Sequence, residues 1–548
     1  MAGLPARART GLHQLLRRTA QRLFALPGYR LTLIGRSPAT LQMSPSDPWP
    51  GRADHGAAIM AGRFRFAAWE PAAGDDIWDP PGAPPEWLAA MHGFVWLRDL
   101  TMLGGAEARQ SARRLTADWI DHHESWSLPA WRSDVVADRI TAWLSCYDTF
   151  FASGEDDFRQ AVVTSTAAQL RHLDRAWRLE TDGAARITAL KGLVYGALCL
   201  NGRELAEQRL ALLEGELERQ VLADGGHVER SPAKLLTVLR DLLEIRAALG
   251  AAQYEVPEPL QQAIDRMAPM LRYLRGGDGA LARFNGTGSE DSLILSAALE
   301  QASPRGKPAA RAPATSFERI SAGRLTALVD AGTPPEPPFD QGAHAGALSL
   351  EVTIGRERLI VNCGAAVCNG TRWQLAERAT AAHSTVTIND RNSSELLNNG
   401  HIGGRVARVT VDRDSADGAT LLDMSHDGYQ RSDGITHRRR IFLSADGSDL
   451  RGEDTLTGHS GVPFAVRFHL HPAVNATLLQ SGKDALLRLP RDGGWRLRCS
   501  EPLALAESIY FEDAPEPRRA SQVVISGVTG NGATTIKWAL RPETRRDG

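Results

Sequence analysis

Two histidines, His344 and His383, stand at the mouths of expected strands. Leu348, Leu350, Val352 and Ile354 alternate with Ser349, Glu351 and Thr353, the period of a strand with one buried face. Gly355-Arg-Glu turns the chain, Leu359-Ile-Val returns it to Asn362-Cys363-Gly364, and a third strand runs from His383 through Ile388. Imidazoles exchange protons near neutrality and ligate metals, so the pair reads either as a site or as a coincidence of spacing. A second constellation is Trp126, Trp131, Arg132, Asp134 and Arg139 in WSLPAWRSDVVADRI. Indole faces stack on sugar rings, and guanidinium groups pair with carboxylate or sulfate. The alternative is that the tryptophans bridge helices and Arg132 pairs with Asp134 or Asp138. Phe468-His469-Leu470-His471 alternates, so one of these histidines points into a core. Cys363 and Cys368 share a loop, but no second Cys/His pair with zinc-finger spacing accompanies them, and they read as small buried hydrophobes.

The elements that position these residues fall into two blocks. From Pro85 the apolar residues recur at helical spacing, first in WLAAMHGFVWLRDL and then at about 107–120, 133–152, 157–179, 184–200, 203–222, 231–249 and 258–275. The connections are short and carry helix starts such as Ser133-Asp134 and Ser231-Pro232. Consecutive helices with short links pair as hairpins, in a bundle, solenoid or toroid. Residues 302–316 (ASPRGKPAARAPATS) are aperiodic, a linker by composition. Beyond it strands are expected at Arg324–Asp330, Val406–Asp412, Ile441–Ser444, Phe464–Leu470, Ala485–Leu489, Trp495–Cys499 and Thr535–Leu540, separated by turn residues as in an antiparallel sandwich. The expected organisation is an N-terminal helix and irregular segment at 1–84 with a few small strands, a helical domain at 85–301, the linker at 302–316 and a β-sandwich at 317–545.

A chain of 548 residues exceeds what one core supports. A net charge of −2 gives no electrostatic case for nucleic acid as a partner. Five cysteines at irregular spacing argue against a disulfide framework. No apolar run has the length of a membrane span. Residues 8–26 form a basic amphipathic helix without the apolar run of a signal peptide, either packed on its own domain or touching a membrane surface.

Two stretches carry a family resemblance. Asp224-Gly-Gly-His227-Val-Glu229-Arg230-Ser-Pro, continued by Val238-Leu-Arg-Asp-Leu-Leu, resembles the toroid signature of the heparinase II/III polysaccharide lyases. His344-Ala345, Val361-Asn-Cys-Gly, Arg378-Ala-Thr-Ala-Ala-His383-Ser-Thr and His437-Arg-Arg-Arg resemble that family's C-terminal domain. The resemblance runs over about 85–540. It implies an incomplete (α/α) toroid followed by an antiparallel β-sandwich, and a bacterial lyase that cleaves an acidic, uronate-containing polysaccharide by β-elimination, in the cell envelope or periplasm. With no signal peptide evident, the cytoplasm is the alternative.

Elimination needs a group that stabilises charge as the uronate C5 proton leaves, a base that takes the proton, and an acid for the departing oxygen. In the family an Asn-His pair on a toroid helix, a Tyr after Ser-Pro and a sandwich His supply these. Here those positions fall on Ala184-Ala185, Lys234 and Gly342, of which only Lys234 can move a proton, and only with a lowered pKa. The substitute acid/base set implied is His227, His383 and Tyr429, with Trp131, Arg132, Arg139, Glu229 and Arg230 binding substrate. His227 reads equally as a structural helix-entry residue, with Glu229 then holding Arg230 or a helix N-terminus. Tyr429 lies in a loop with His426 and Asp427 and reads also as packing. The resemblance further implies one divalent ion, Zn or Ca, on His344, Asn362 and His383; Asn is a weaker ligand than the family's Asp. A site of this kind places His227, Arg132, His344, His383 and Tyr429 in the groove between the domains. The alternative function is a glycan-binding or envelope-associated protein that kept the fold and lost the chemistry. Hydrolysis by paired carboxylates rests only on Asp224 and Glu229.

Overall fold

The computed structural model describes residues 6–543 apart from 181, 304, 367–372 and 513–515, so Cys368 lies outside the described residues. The helical block comprises α1 (Ala6–Phe24), α2 (Ala53–Met60), α3 (Pro85–Gly93), α4 (Leu97–Leu103), α5 (Gly105–His122), α6 (Ser133–Ser145), α7 (Asp156–Glu180), α8 (Ala184–Gly196), α9 (Arg203–Gln220), α10 (Pro232–Ala251), α11 (Glu258–Tyr273) and α12 (Ser292–Ala302). Two stretches expected as single helices end differently, with π turns at Tyr147–Phe151 and Ala197–Asn201 following α6 and α8. Residues 28–75 hold no strand longer than the Phe66–Trp69 bridge; α2 and a 3-10 turn at Tyr29–Leu33 occupy them. Helix α8 packs between α6 and α10, and its residues from Ile187 to Gly196 are all buried. Burying so much aliphatic surface, about 1.5–3 kcal/mol per Leu, Ile or Val side chain, fixes where the few polar residues of α8 must sit.

The C-terminal block contains β1 (Phe317–Ala322), β2 (Leu325–Asp330), β3 (Leu350–Ile354), β4 (Glu357–Val361), β5 (Val386–Ile388), β6 (Val409–Ala416), β7 (Ala419–His426), β8 (Ile435–Leu443), β9 (Leu450–Gly458), β10 (Pro463–Leu470), β11 (Asn475–Leu478), β12 (Asp484–Leu489), β13 (Gly493–Cys499), β14 (Ala504–Tyr510), β15 (Arg518–Val528) and β16 (Gly532–Pro542). They form two 8-stranded antiparallel sheets, β1-β2-β3-β4-β10-β15-β14 with β5 beside β10, and β11-β12-β13-β16-β9-β8-β7-β6. Leu350, Val352, Ile360, Val466 and Phe468 of the first sheet meet Met424, Ile441, Leu456 and Trp538 of the second in one core. The pattern is a helical toroid followed by a β-sandwich.

The domains are joined by the Asp224–Pro232 stretch. Arg230, at φ +53°, donates from Nε to the Thr315 carbonyl (2.7 Å), from Nη1 to Thr333 (2.9 Å) and from Nη2 to Ser316 (3.1 Å), and pairs with Asp330 at the end of β2. Asp224 accepts from the Thr315 amide and hydroxyl, both at 2.7 Å. Gly226 is required here, because a Cβ would fall 1.7 Å from the Thr315 hydroxyl.

Candidate functional site

Each residue of the Asp224–Pro232 stretch is engaged in structure. His227 is 1% exposed. The Gln220 amide donates its own NH2 to Glu216, which turns its carbonyl oxygen toward the imidazole. His227 therefore donates from Nε2 to Gln220 (3.0 Å), and its Nδ1 accepts the Glu229 amide at 3.4 Å. Burial first, and Lys234 second, push its pKa down to about 3. With both nitrogens committed, His227 has no lone pair to offer a substrate proton. Glu229 accepts the Ala184 amide at 2.7 Å, capping the first turn of α8. Gly183 makes room for it, since a Cβ there would lie 1.9 Å from the carboxylate. Glu229 and Arg230, expected on a substrate, thus cap a helix and join two domains.

On the sandwich His344 and His383 do meet, with Nδ1 of the first 3.2 Å from Nε2 of the second, both buried. Burial lowers both pKa values, His383 to about 3, with His469 adding to it. Asn285 holds this pair to the joint: its oxygen accepts the His344 amide (3.1 Å) and its NH2 donates to the Arg230 carbonyl (3.0 Å). The third residue of the expected metal set is already engaged, because Asn362 accepts the Ser384 amide (3.0 Å) and donates toward Glu351 (3.4 Å). Two neutral imidazoles and an engaged amide supply no anionic ligand, and the residues do not fit a divalent ion. Among the described residues three metal-binding side chains converge elsewhere, Asp79, His92 and His123, within 4.8 Å. There the Trp119 indole donates to His92 Nδ1 (3.0 Å), so His92 Nε2 carries the proton and faces Asp79 (3.7 Å) as a donor, not a ligand.

Tyr429 is not at the groove. Its ring is fully buried in the sandwich core and its hydroxyl donates to the Val386 carbonyl at 2.8 Å. Burial raises its pKa. Trp131 and Arg139 are also interior. Trp131 donates to the His123 carbonyl (3.0 Å), and Arg139 lies 3.9 Å over the Trp119 ring with bonds to Gln169, His92 and Ala130. Arg132 alone of the expected binding residues reaches a cavity, and there it is held by both oxygens of Asp134 at 2.6 and 2.9 Å.

That cavity, of about 400 Å³, is the cleft of the toroid, formed largely by α6, α8 and α10. Lys191 of α8 sits in it, 2.7 Å from Asp241, 2.8 Å from Glu244 and 3.1 Å from Asp138. Burial pulls the Lys191 pKa down, but the carboxylates outweigh it and hold the ammonium charged. Thr188 donates to Asp241 (2.6 Å) and the Trp49 indole to Glu244. Arg98 pairs with Asp47 at 3.1 Å. The lining has the cations Arg98, Arg132, Lys191 and Arg240 against Asp47, Asp134, Asp138, Asp241 and Glu244. The cleft has neutralised itself. This cluster was legible as a lysine inside the apolar ITALKGLVYG and as two acids three apart inside VLRDLLEIRAAL, because charges on an inward face must find partners.

The family's acid/base positions are equally unpromising. Ala184 is buried at the start of α8, Lys234 is exposed on α10, and Gly342 sits in a loop at φ +93°. The family model for the heparinase II/III-like C-terminal domain matches residues 304–539. FtsZ-localized protein C of Caulobacter vibrioides (strain NA1000 / CB15N) is 32% identical over 569 aligned positions, covering 98% of this chain and 97% of the relative. The chain belongs to the same family as FtsZ-localized protein C and carries a heparinase II/III-like C-terminal domain. Its fold matches the crystal structure of heparinase III with a TM-score of 0.70 at 14% identity, over 96% of this chain and 89% of that one. The heparan sulfate lyase HepC of Pedobacter heparinus matches with a TM-score of 0.59 at 14% identity, over 97% and 89%. The chain is therefore a polysaccharide-lyase-like protein in architecture.

Proposed function

We propose that this heparinase II/III-like chain no longer performs β-elimination on an acidic glycan and works instead as an envelope-associated docking protein. The observation that carries the reading is the fate of the acid/base groups. The family positions hold Ala184, Lys234 and Gly342, while His227, His383 and Tyr429 are buried and committed to hydrogen bonds. A lost acid or base typically costs about 10²–10⁴ in rate, and the cleft's own titratable groups are tied to each other: Lys191 is held protonated by carboxylates, and Asp241 accepts from Lys191 (2.7 Å) and the Thr188 hydroxyl (2.6 Å). The cleft's cations are also matched by its own acids, which leaves no net positive charge to draw in the polyanion that a lyase must bind.

The relative localised to FtsZ supports placing this chain at FtsZ-containing structures. The N-terminal helix supports a membrane surface as the place where it docks. Ala20 and Phe24 pack α1 on Ala176 and Trp126, but Leu15 is 61% and Leu23 57% exposed on its free side, beside Arg18 and Arg22. Leu31 and Ile34, in and just after the following 3-10 turn, are exposed as well, and no acid precedes Asp47. Exposed leucines flanked by arginines suit an anionic lipid surface. No helix among the described residues is long and apolar enough to cross a membrane. Flotation with phosphatidylglycerol vesicles tests the docking: the chain should float, and Leu23→Glu should stay at the bottom of the gradient. Equal flotation of both would remove α1 from the account.

A further inference from the structure

The outer face of the second sheet is unlike the rest of a chain whose net charge is −2. A trough of about 540 Å³ crosses β8, β9, β16 and β13, lined by Arg440, Arg451, Arg498, Lys537 and Arg541 against the single acid Glu453. The register makes this concentration costly. Arg496 lies directly opposite Arg541 on the adjoining strand, and like charges so placed repel. Asp449 relieves part of it, pairing with Arg541 (2.9 Å) and Arg451 (2.5 Å). Among the described residues the acids paired with Arg496 and Arg498 are distant, Glu543 at 3.9 Å and Asp484 at 3.6 Å, beyond hydrogen-bond reach. Arg498 and Lys537 are 75% and 70% exposed. At the other end of the trough Leu421 and Phe442 are cross-strand partners and leave an apolar step in the floor. The inner face of this sheet packs the sandwich core, and the helical domain docks on the first sheet through Arg230 and Asp330, so the trough faces away from the joint.

We infer that this trough docks an acidic, extended segment of a partner polypeptide, with an apolar residue at one end. The spacing fits. Cations two residues apart on one strand, Arg496 and Arg498, stand about 6.6–6.8 Å apart, the same repeat at which alternate side chains of an extended peptide recur. The Leu421–Phe442 step gives an apolar side chain a seat that a sulfated glycan has no group to fill. The inference is independent of whether the toroid cleft eliminates, since the two surfaces share no residue.

The test uses the full chain and a short fluorescein-labelled peptide of alternating Glu and Ser ending in Leu-Leu, followed by anisotropy at low and moderate salt. Saturable binding is expected, weakening as salt rises. Arg498→Glu/Arg541→Glu should weaken it about ten-fold or more, while Arg109→Glu on the far helical domain should not. Circular dichroism establishes that each variant is folded. Absence of saturable binding, equal affinity of the double variant, or tighter binding of a heparin oligosaccharide than of the peptide at this face each overturns the inference.

Discussion

Lys191→Met removes the cation at the centre of the toroid cleft at nearly constant volume. The ammonium is held by Asp241, Glu244 and Asp138, and Asp241 and Glu244 are each 4% exposed. Taking one partner out of such a cluster leaves uncompensated buried charge and costs about 3–5 kcal/mol. The cost should depend on pH. Burial raises Asp241 to about 6 even against the opposing Lys191 ammonium, with Glu244 and Asp138 adding to the rise. A raised carboxyl contributes stability that is full below its unfolded value near 3.8 and is lost as pH rises through about 6. Without Lys191 the upward shift grows, so the penalty should be largest near pH 7 and shrink toward pH 5. Urea titration followed by tryptophan fluorescence at the two pH values measures it. A loss under about 1 kcal/mol, or one independent of pH, would mean that Lys191 is a free cation available to a ligand, and the self-neutralised cleft would be wrong.

Arg230→Met strands Asp330, the linker carbonyls of Thr315 and Ser316 and the Thr333 carbonyl at the domain joint; we expect a loss of about 3–5 kcal/mol and calorimetric separation of the helical and β transitions, where a single unshifted transition would refute the joint. Tyr429→Phe should cost only about 1 kcal/mol, one buried hydrogen bond, with vesicle flotation unchanged; loss of flotation would show that the hydroxyl acts beyond the core. Buried His227, His383 and His469 are depressed to about 3, 3 and 4, chiefly by burial. Groups so depressed stabilise above their unfolded value near 6.5 and lose that contribution as pH falls, so the denaturation midpoint should drop between about pH 7 and pH 5, and a flat or rising midpoint would contradict their neutral burial.

The sequence made the helical block legible because helices such as α5 and α11 bury a stripe at the 3.6-residue period. Strand β8 was visible only at its Ile441 end. Its inward positions include His437 and Arg439, whose burial is sustained by Asp454 on β9 at 2.8 and 2.7 Å, and no alternation rule anticipates an arginine in a core. Glu229 as a helix cap was one of two readings open at that position, and its decision needed the fold that brings α8 to it. Tyr429 looked like a loop residue beside His426 and Asp427, yet its ring turns inward ahead of the single turn Gln430–Asp433. Polar residues with an interior partner and polar residues awaiting a substrate have the same signature along the chain; only the partners' positions separate them.

The most direct test of the central claim is the ultraviolet absorbance of the unsaturated uronate end produced by elimination. It should be followed with the full chain over heparan sulfate, chondroitin sulfate, hyaluronan and alginate, with an active lyase as reference. No increase above the protein-free control is expected on any of them. A steady, enzyme-dependent rise on any one polymer, abolished by Lys234→Ala, would contradict the claim and put a working base on α10.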